Sequence, residues 1–228
     1  DRIQALYMHS YICACGLDDH RSLSNYLIPL LVDAGAISEA QQVFDKMLYK
    51  YGSSWNSLIY GYTKSNKPQC AFDLYARMRD DDSVHPSGNV IVALFKACTK
   101  LMDLEQGLEI HASISKCGLL EKDPFVGTSL VDMYAKCGAI AKAREIFEQL
   151  PARDVISWTT LIAGYVEAGH GEEALQCFQH MEMEGFFPDS VTLVCILKAC
   201  NNLEAIEKGK QIHIQATKIG SVDKDAFI

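Results

Sequence analysis

The strongest restriction on the fold of this chain is that its sequence repeats itself. Residues 88–123 (GNVIVALFKACTKLMDLEQGLEIHASISKCGLLEKD) align without a gap with residues 190–225 (SVTLVCILKACNNLEAIEKGKQIHIQATKIGSVDKD), an offset of about 102 residues. The stretch SSWNSLIYGYTKSNKPQCAFDLYARM from Ser53 aligns with ISWTTLIAGYVEAGHGEEALQCFQHM from Ile156, and residues 21–51 align with 124–154. The long period divides into three related units of 31, 35 or 36, and 36 residues. The boundaries fall at 1–20 (a partial unit), 21–51, 52–87, 88–123, 124–154, 155–189 and 190–225, with another unit opening at 226–228. A period of this size is the signature of an array in which each unit is one small supersecondary element.

Each unit carries two helical stripes. Trp158, Leu161, Ile162 and Tyr165 fall at i, i+3, i+4 and i+7 and so share one face of a helix, and Trp55, Leu58, Ile59 and Tyr62 repeat the pattern. Past Gly169 and Gly171 a second stripe runs Ala174, Leu175, Phe178, Met181, matched by Ala71, Phe72, Tyr75 and Met78. Gly185 then supplies the residue type that best adopts the left-handed conformation of a helix C-cap. No strand pattern competes. A lone helix pair cannot bury its apolar face, so neighbours must stack. The expected fold is all-α: a right-handed α-solenoid superhelix of stacked helix-turn-helix repeats with a concave inner surface. Small residues at Ala40, Ala71, Ala143 and Ala174 suit close helix approach.

Composition narrows the function. The 228 residues carry a formal net charge of −8, which opposes a protein that grips nucleic acid mainly by neutralising phosphates. Neither an apolar run of 18 residues nor a secretory signal is present, so no membrane partner is expected. The chain begins in mid-pattern and reads as a piece of a longer one. Its nine cysteines follow the repeat, Cys98 matching Cys200 and Cys15 matching Cys117, which favours reduced and mostly buried thiols over a disulfide framework.

Several motifs suggest chemistry that the rest of the chain does not complete. His170 and Glu172 form H-x-E, the start of a zinc-deaminase signature, but the chain has no C-x-x-C to finish the metal site. Gly169, Gly171 and Ala174 give G-x-G-x-x-A without a preceding strand, so a helix–helix turn explains them. His9, His111 and His213 are equivalent positions three units apart, too distant to share an ion. Cys13 and Cys15 form only C-x-C. No catalytic residue, metal site or cofactor is expected, and the chain is not read as an enzyme.

The order of unit types, with strings such as SLVDMYAKCGAIAKAREIFEQLPARDVISWTTLIAGYVEAG and LEQGLEIH, resembles the PLS subclass of pentatricopeptide repeat proteins over essentially all 228 residues. The units then read as partial L (1–20), S (21–51), P (52–87), L (88–123), S (124–154), P (155–189), L (190–225) and the start of S (226–228). The resemblance implies a single-stranded RNA partner, with one base met by the fifth and last residues of each repeat. On that pattern Thr128 with Asp154, and Thr159 with Asp189, look like guanine readers. Asn56 with Ser87 looks like a cytosine reader, and Asn25 with Tyr51 implies a weak pyrimidine bias. In the L units Val92 with Asp123 and Val194 with Asp225 act more as spacers, because valine has no group to bond a base edge. The second residue of a unit flanks the base by apolar contact, a role that Phe125, Ile156 and Val191 suit and Ser22, Ser53 and Asn89 do not.

With RNA running 5′ to 3′ along the chain, the implied core is pyrimidine, C, any, G, G, any. Lys96, Lys136 and Lys198 are expected to make the groove locally less negative. Asp123, Asp154, Asp189 and Asp225 each precede a helix, where a carboxylate also serves as an N-cap, and both roles are compatible. The resemblance further implies a monomeric specificity module of a mitochondrial or chloroplast RNA-processing protein. That protein would act in C-to-U editing, with a deaminase domain beyond this chain and an organellar editing-factor protein as a further partner. The alternative is a peptide-binding scaffold resembling tetratricopeptide arrays, which the acidic charge favours.

Overall fold

The computed structural model describes residues 2–16, 21–81 and 84–225. Among them the chain is helical with no strand. In order, α1 spans Arg2–Ala14, α2 Arg21–Asp33, α3 Ile37–Lys46, α4 Gly52–Lys64, α5 Pro68–Arg79, α6 Gly88–Leu101 and α7 Leu104–Lys116. The short α8 covers Leu119–Lys122, followed by α9 Pro124–Lys136, α10 Ile140–Gln149, α11 Val155–Glu167, α12 Gly171–Met183, α13 Ser190–Asn202 and α14 Ile206–Asp225. From α2 to α5 and from α9 to α14 the helices pair as the two stripes require, and consecutive hairpins stack as in an α-solenoid. The chain divides into two compact units, Asp1–Ala97 and Cys98–Ile228.

In the first unit α2 packs on α3 and α4 on α5, while α2 and α4 lie against each other. Its core holds Leu27, Ile28, Leu31, Phe44, Trp55, Leu58 and Ile59, all essentially sealed from water. In the second unit the first helices α9, α11 and α13 pack in succession, each against its own second helix, α10, α12 and α14. The same aromatic joint locks hairpins in both units: Phe44 meets Trp55 edge-on at 4.6 Å between ring centroids, and Phe147 meets Trp158 at 4.6 Å. Equal sequence at equivalent positions has produced equal packing.

The turns follow their residues. Gly185 takes φ 85°, and the amides of Gly185 and Phe186 bond the carbonyls of Glu182 and Met181, both at 3.0 Å, which closes α12 with a Schellman cap. Residues 88–123 and 190–225 depart from this pattern, because Met102 and Glu204 hold φ of 56° and 55° at positions where glycine would be strain-free.

Ala40, Ala71, Ala143 and Ala174 are all fully buried, in keeping with close helix approach. Ala174→Leu should therefore force neighbouring helices apart and lower stability by about 2 kcal/mol. Thermal unfolding at an unchanged midpoint would show that the register of α12 differs from this one.

The expectation of mostly buried cysteines is corrected: Cys98, Cys177 and Cys200 are buried, but Cys15 and Cys70 are exposed and the other four half-buried. The unit pattern places thiols on both faces of the helices, and only those facing a neighbouring hairpin are covered.

Candidate functional site

The acidic residues at the unit boundaries act first as helix caps. Asp154 Oδ1 accepts the Ser157 amide at 2.8 Å while Ser157 Oγ accepts the Asp154 amide at 2.9 Å, a reciprocal capping box. Asp123 Oδ1 accepts the Phe125 amide at 3.0 Å. Asp189 Oδ1 accepts the Thr192 amide and the Thr192 hydroxyl, each at 2.8 Å. One oxygen of each carboxylate suffices for the cap, so Asp189 keeps Oδ2 clear of protein donors among the described residues. The side chain of Asp225 and residues 226–228 lie outside the described residues, as do 17–20 of the first partial unit.

The fifth residues of the units differ in how they are held. Thr159 does not stand open on the helix face: it is 8% exposed, and its Oγ1 lies 2.6 Å from Oγ1 of Thr192 on the next first helix. Thr128 is half-buried and donates to the Pro124 carbonyl one turn earlier, at 3.2 Å. Asn56 Oδ1 accepts the Ser87 amide at 3.1 Å, which joins the fifth and last residues of that unit directly. Asn25 Oδ1 accepts the hydroxyls of Ser53 at 2.6 Å and Ser54 at 3.0 Å. Tyr51, half-buried, sits at the N-terminus of α4. Val92 is half-buried and Val194 exposed.

One cavity brings the expected residues of the 155–189 unit together. A groove of about 310 Å³ is lined by Thr159 and Asp189 with Ile156, Val191, Lys136 and Glu167. Ile156 and Val191 are each 57% exposed, so two exposed aliphatic side chains share the groove with the polar pair. Phe125, the corresponding residue of the preceding unit, is also exposed. Thr128 and Asp154 are not joined by a hydrogen bond among the described residues. The lysine expectation needs amendment: Lys136 reaches the groove, but it is paired with Asp132 at 2.8 Å, and both Asp132 and Glu167 share the lining. Lys136 thus offsets one of the three carboxylates Asp132, Glu167 and Asp189 in the lining.

Sequence reading missed Thr192 and Ser54, and weighed Ser53 only as a base-flanking residue. A signal for the two missed residues was present, because Ser54 and Thr192, like Ser157, occupy the third position of their units, a fully buried site where an apolar residue would ordinarily sit.

A second cavity, about 340 Å³, lies beside α10 and α12 and is lined by Arg144, Arg153, Trp158, Tyr165 and Cys177 among others. It contains none of the expected residues. Burial pushes the Cys177 thiol up to about 12, which leaves it protonated and unreactive at neutral pH. His111 bonds Tyr134 Oη through Nδ1 at 2.7 Å, and burial lowers its pKa below the usual histidine value, as suits a neutral structural imidazole.

Known proteins agree with this architecture. Residues 153–202 match the PPR repeat family, and residues 53–83 and 128–155 match the PPR repeat. A mitochondrial pentatricopeptide repeat-containing protein of Arabidopsis thaliana is 37% identical over 220 residues, covering 96% of this chain and 21% of its own length. A chloroplastic one from the same plant is 36% identical over 228 residues, covering 100% of this chain and 26% of itself. The chain thus spans only about a fifth to a third of the curated relatives it matches. Among solved structures, PPR10 in complex with an 18-nt psaJ RNA element superposes with a TM-score of 0.69 at 18% identity, over 94% of this chain and 36% of that one. A tetratricopeptide repeat protein from Parabacteroides merdae reaches 0.55 at 13% identity, over 96% and 93%. Repeat order, hairpin stacking and sequence matches agree: the chain belongs to the pentatricopeptide repeat family.

Proposed function

We propose that this chain binds single-stranded RNA in a sequence-specific way, at about one base per repeat, as part of a PLS-type protein that directs C-to-U editing in a mitochondrion or chloroplast. The observation that carries the reading is the groove at Thr159 and Asp189. Its lining combines the oxygen atoms of Thr159 and Asp189 with two exposed aliphatic side chains, Ile156 and Val191, a combination suited to a flat ring with a polar edge. The solved PPR10 complex with an RNA element supports the reading by family likeness. An editing-factor protein as partner and a monomeric state belong to the same proposal.

The charge of −8 and the ion-paired Lys136 favour recognition led by bases over recognition led by phosphates. They also support the second reading, a peptide-binding scaffold, to which the likeness with a tetratricopeptide repeat protein adds only the fold.

Selection from a randomised single-stranded RNA pool, beside a peptide library, separates the two. The expected winner is RNA carrying adjacent guanines, with a shallow salt dependence. Thr159→Asn with Asp189 kept should move the preferred base at that position from guanine to uracil. The new amide donates to a uracil carbonyl, and Asp189 accepts its N3–H. Enrichment of peptides without RNA, or a base profile that Thr159→Asn leaves unaltered, would refute the reading.

A further inference from the structure

A hydroxyl has one proton and two lone pairs, so a hydroxyl in a chain of bonds has a direction. At the groove the direction is fixed from one end. The Asp189 carboxylate only accepts, and its Oδ1 takes both the amide and the hydroxyl proton of Thr192. With its own proton committed, Thr192 Oγ1 serves Thr159 Oγ1, 2.6 Å away, as acceptor. Thr159 therefore donates inward, and what it presents to the groove is lone pairs. Together with Asp189 Oδ2 the Thr159–Asp189 pair offers acceptors alone. Guanine carries two neighbouring donors on its Watson–Crick edge, N1–H and the N2 amino group. Adenine places the acceptor N1 beside its one amino donor, so adenine meets a lone pair with a lone pair.

We propose that Thr192 is a specificity-determining positioning residue: from the following repeat it sets the proton direction of the reading residue Thr159, and thereby guanine over adenine. Thr192 is fully buried and touches no base itself. The same arrangement recurs in the first unit with the opposite outcome. Ser54, the equivalent third residue and also fully buried, donates to Asn25 Oδ1 together with Ser53, which turns the Asn25 amide group outward as a donor. A donor suits the carbonyl acceptors of pyrimidines. Thr128 lacks this control, because Ser157, the third residue of the following unit, is committed to the capping box with Asp154. Thr128 instead donates to the Pro124 carbonyl of its own helix.

This inference rests on the RNA-binding function proposed above, and the test separates the two. The purified chain, Thr192→Val and Thr192→Ser are each selected against a randomised single-stranded RNA pool, with thermal unfolding followed in parallel. Valine keeps the shape of threonine and removes the relay, so the Thr159 hydroxyl is freed to donate. The expected result is a fall of about tenfold in guanine-over-adenine preference at the base of Thr159, the equivalent of one hydrogen bond and its mismatch. Preference at the base of Thr128 stays as in the parent chain, and Thr192→Ser restores guanine at the Thr159 position. Undiminished guanine preference in Thr192→Val overturns the inference while leaving the RNA function standing. So does an equal loss at both bases, which marks a general structural effect. Absence of any guanine preference in the parent chain overturns the base-reading function and this inference with it. Should Thr192→Val not unfold cooperatively, the Ser53→Ala, Ser54→Ala double variant tests the same device in the other unit. It should abolish the pyrimidine bias at the base of Asn25, and a retained bias overturns the inference.

Discussion

Trp158→Ala should cost the second unit about 3–5 kcal/mol, whereas Trp158→Phe should cost far less. Trp158 is 4% exposed and packs edge-on against Phe147, so it spans the joint between α10 and α11 and its removal leaves a cavity there. Its indole Nε1, however, is buried with no hydrogen-bond partner. A buried donor left unpaired costs about 1–3 kcal/mol, and phenylalanine is relieved of that cost while keeping most of the ring contact. The two effects of Trp158→Phe oppose each other, and those of Trp158→Ala are dominated by lost volume. Because stability in a stacked array is distributed over neighbouring repeats, the measurement of choice is hydrogen exchange of the α11 amides alongside chemical denaturation. Equal losses for the two variants would mean that the indole N–H has found a partner. Trp55 is buried with the same unpaired Nε1 against Phe44, so the first unit should repeat the contrast.

Gly164→Leu is expected to destabilise by about 3 kcal/mol, at the upper end for overpacking, while Gly107→Ala should be close to neutral. A Cβ built on Gly164 would stand 2.6 Å from Cβ of Ala135, where α9 and α11 cross. A methyl on a helix has no rotamer by which to retreat, so the backbones must separate. At Gly107 the nearest atoms are Sδ and Cε of Met133 at 2.5 and 2.7 Å, the far end of a flexible side chain that can swing aside. The helix gains up to about 1 kcal/mol when alanine replaces an interior glycine, which offsets the adjustment at Gly107. Denaturant titration of both variants checks the difference. Similar losses for both would show that contact distance alone, without regard to what is contacted, controls the cost.

The parts of this molecule that were legible beforehand are those written in short-range pattern. Trp158, Leu161, Ile162 and Tyr165 announce a helix face because a 3.6-residue period is a property of one helix alone, and all four are buried as that spacing requires. Asp154 and Asp189 announce helix starts because a cap is made within three residues, as both are. The groove at Thr159 was legible through its polar and flanking residues, yet its charge was not. Lys136 could be named from sequence, and its pairing with Asp132 four residues earlier is local to α9, but the approach of Glu167 depends on how α9 and α11 lie together.

By itself, then, the sequence determined that the chain is built of stacked helix hairpins and which residues form the buried stripe of the helices around Trp55 and Trp158. Only the tertiary structure decided what equivalent places in the units do. Thr128 and Thr159 are the same residue at the same point of their units, but one bonds its own helix and the other a hydroxyl 33 residues away. The reason is physical: helix period and caps arise from neighbours along the chain, whereas the direction of a hydroxyl proton is set by whichever acceptor the fold brings alongside it.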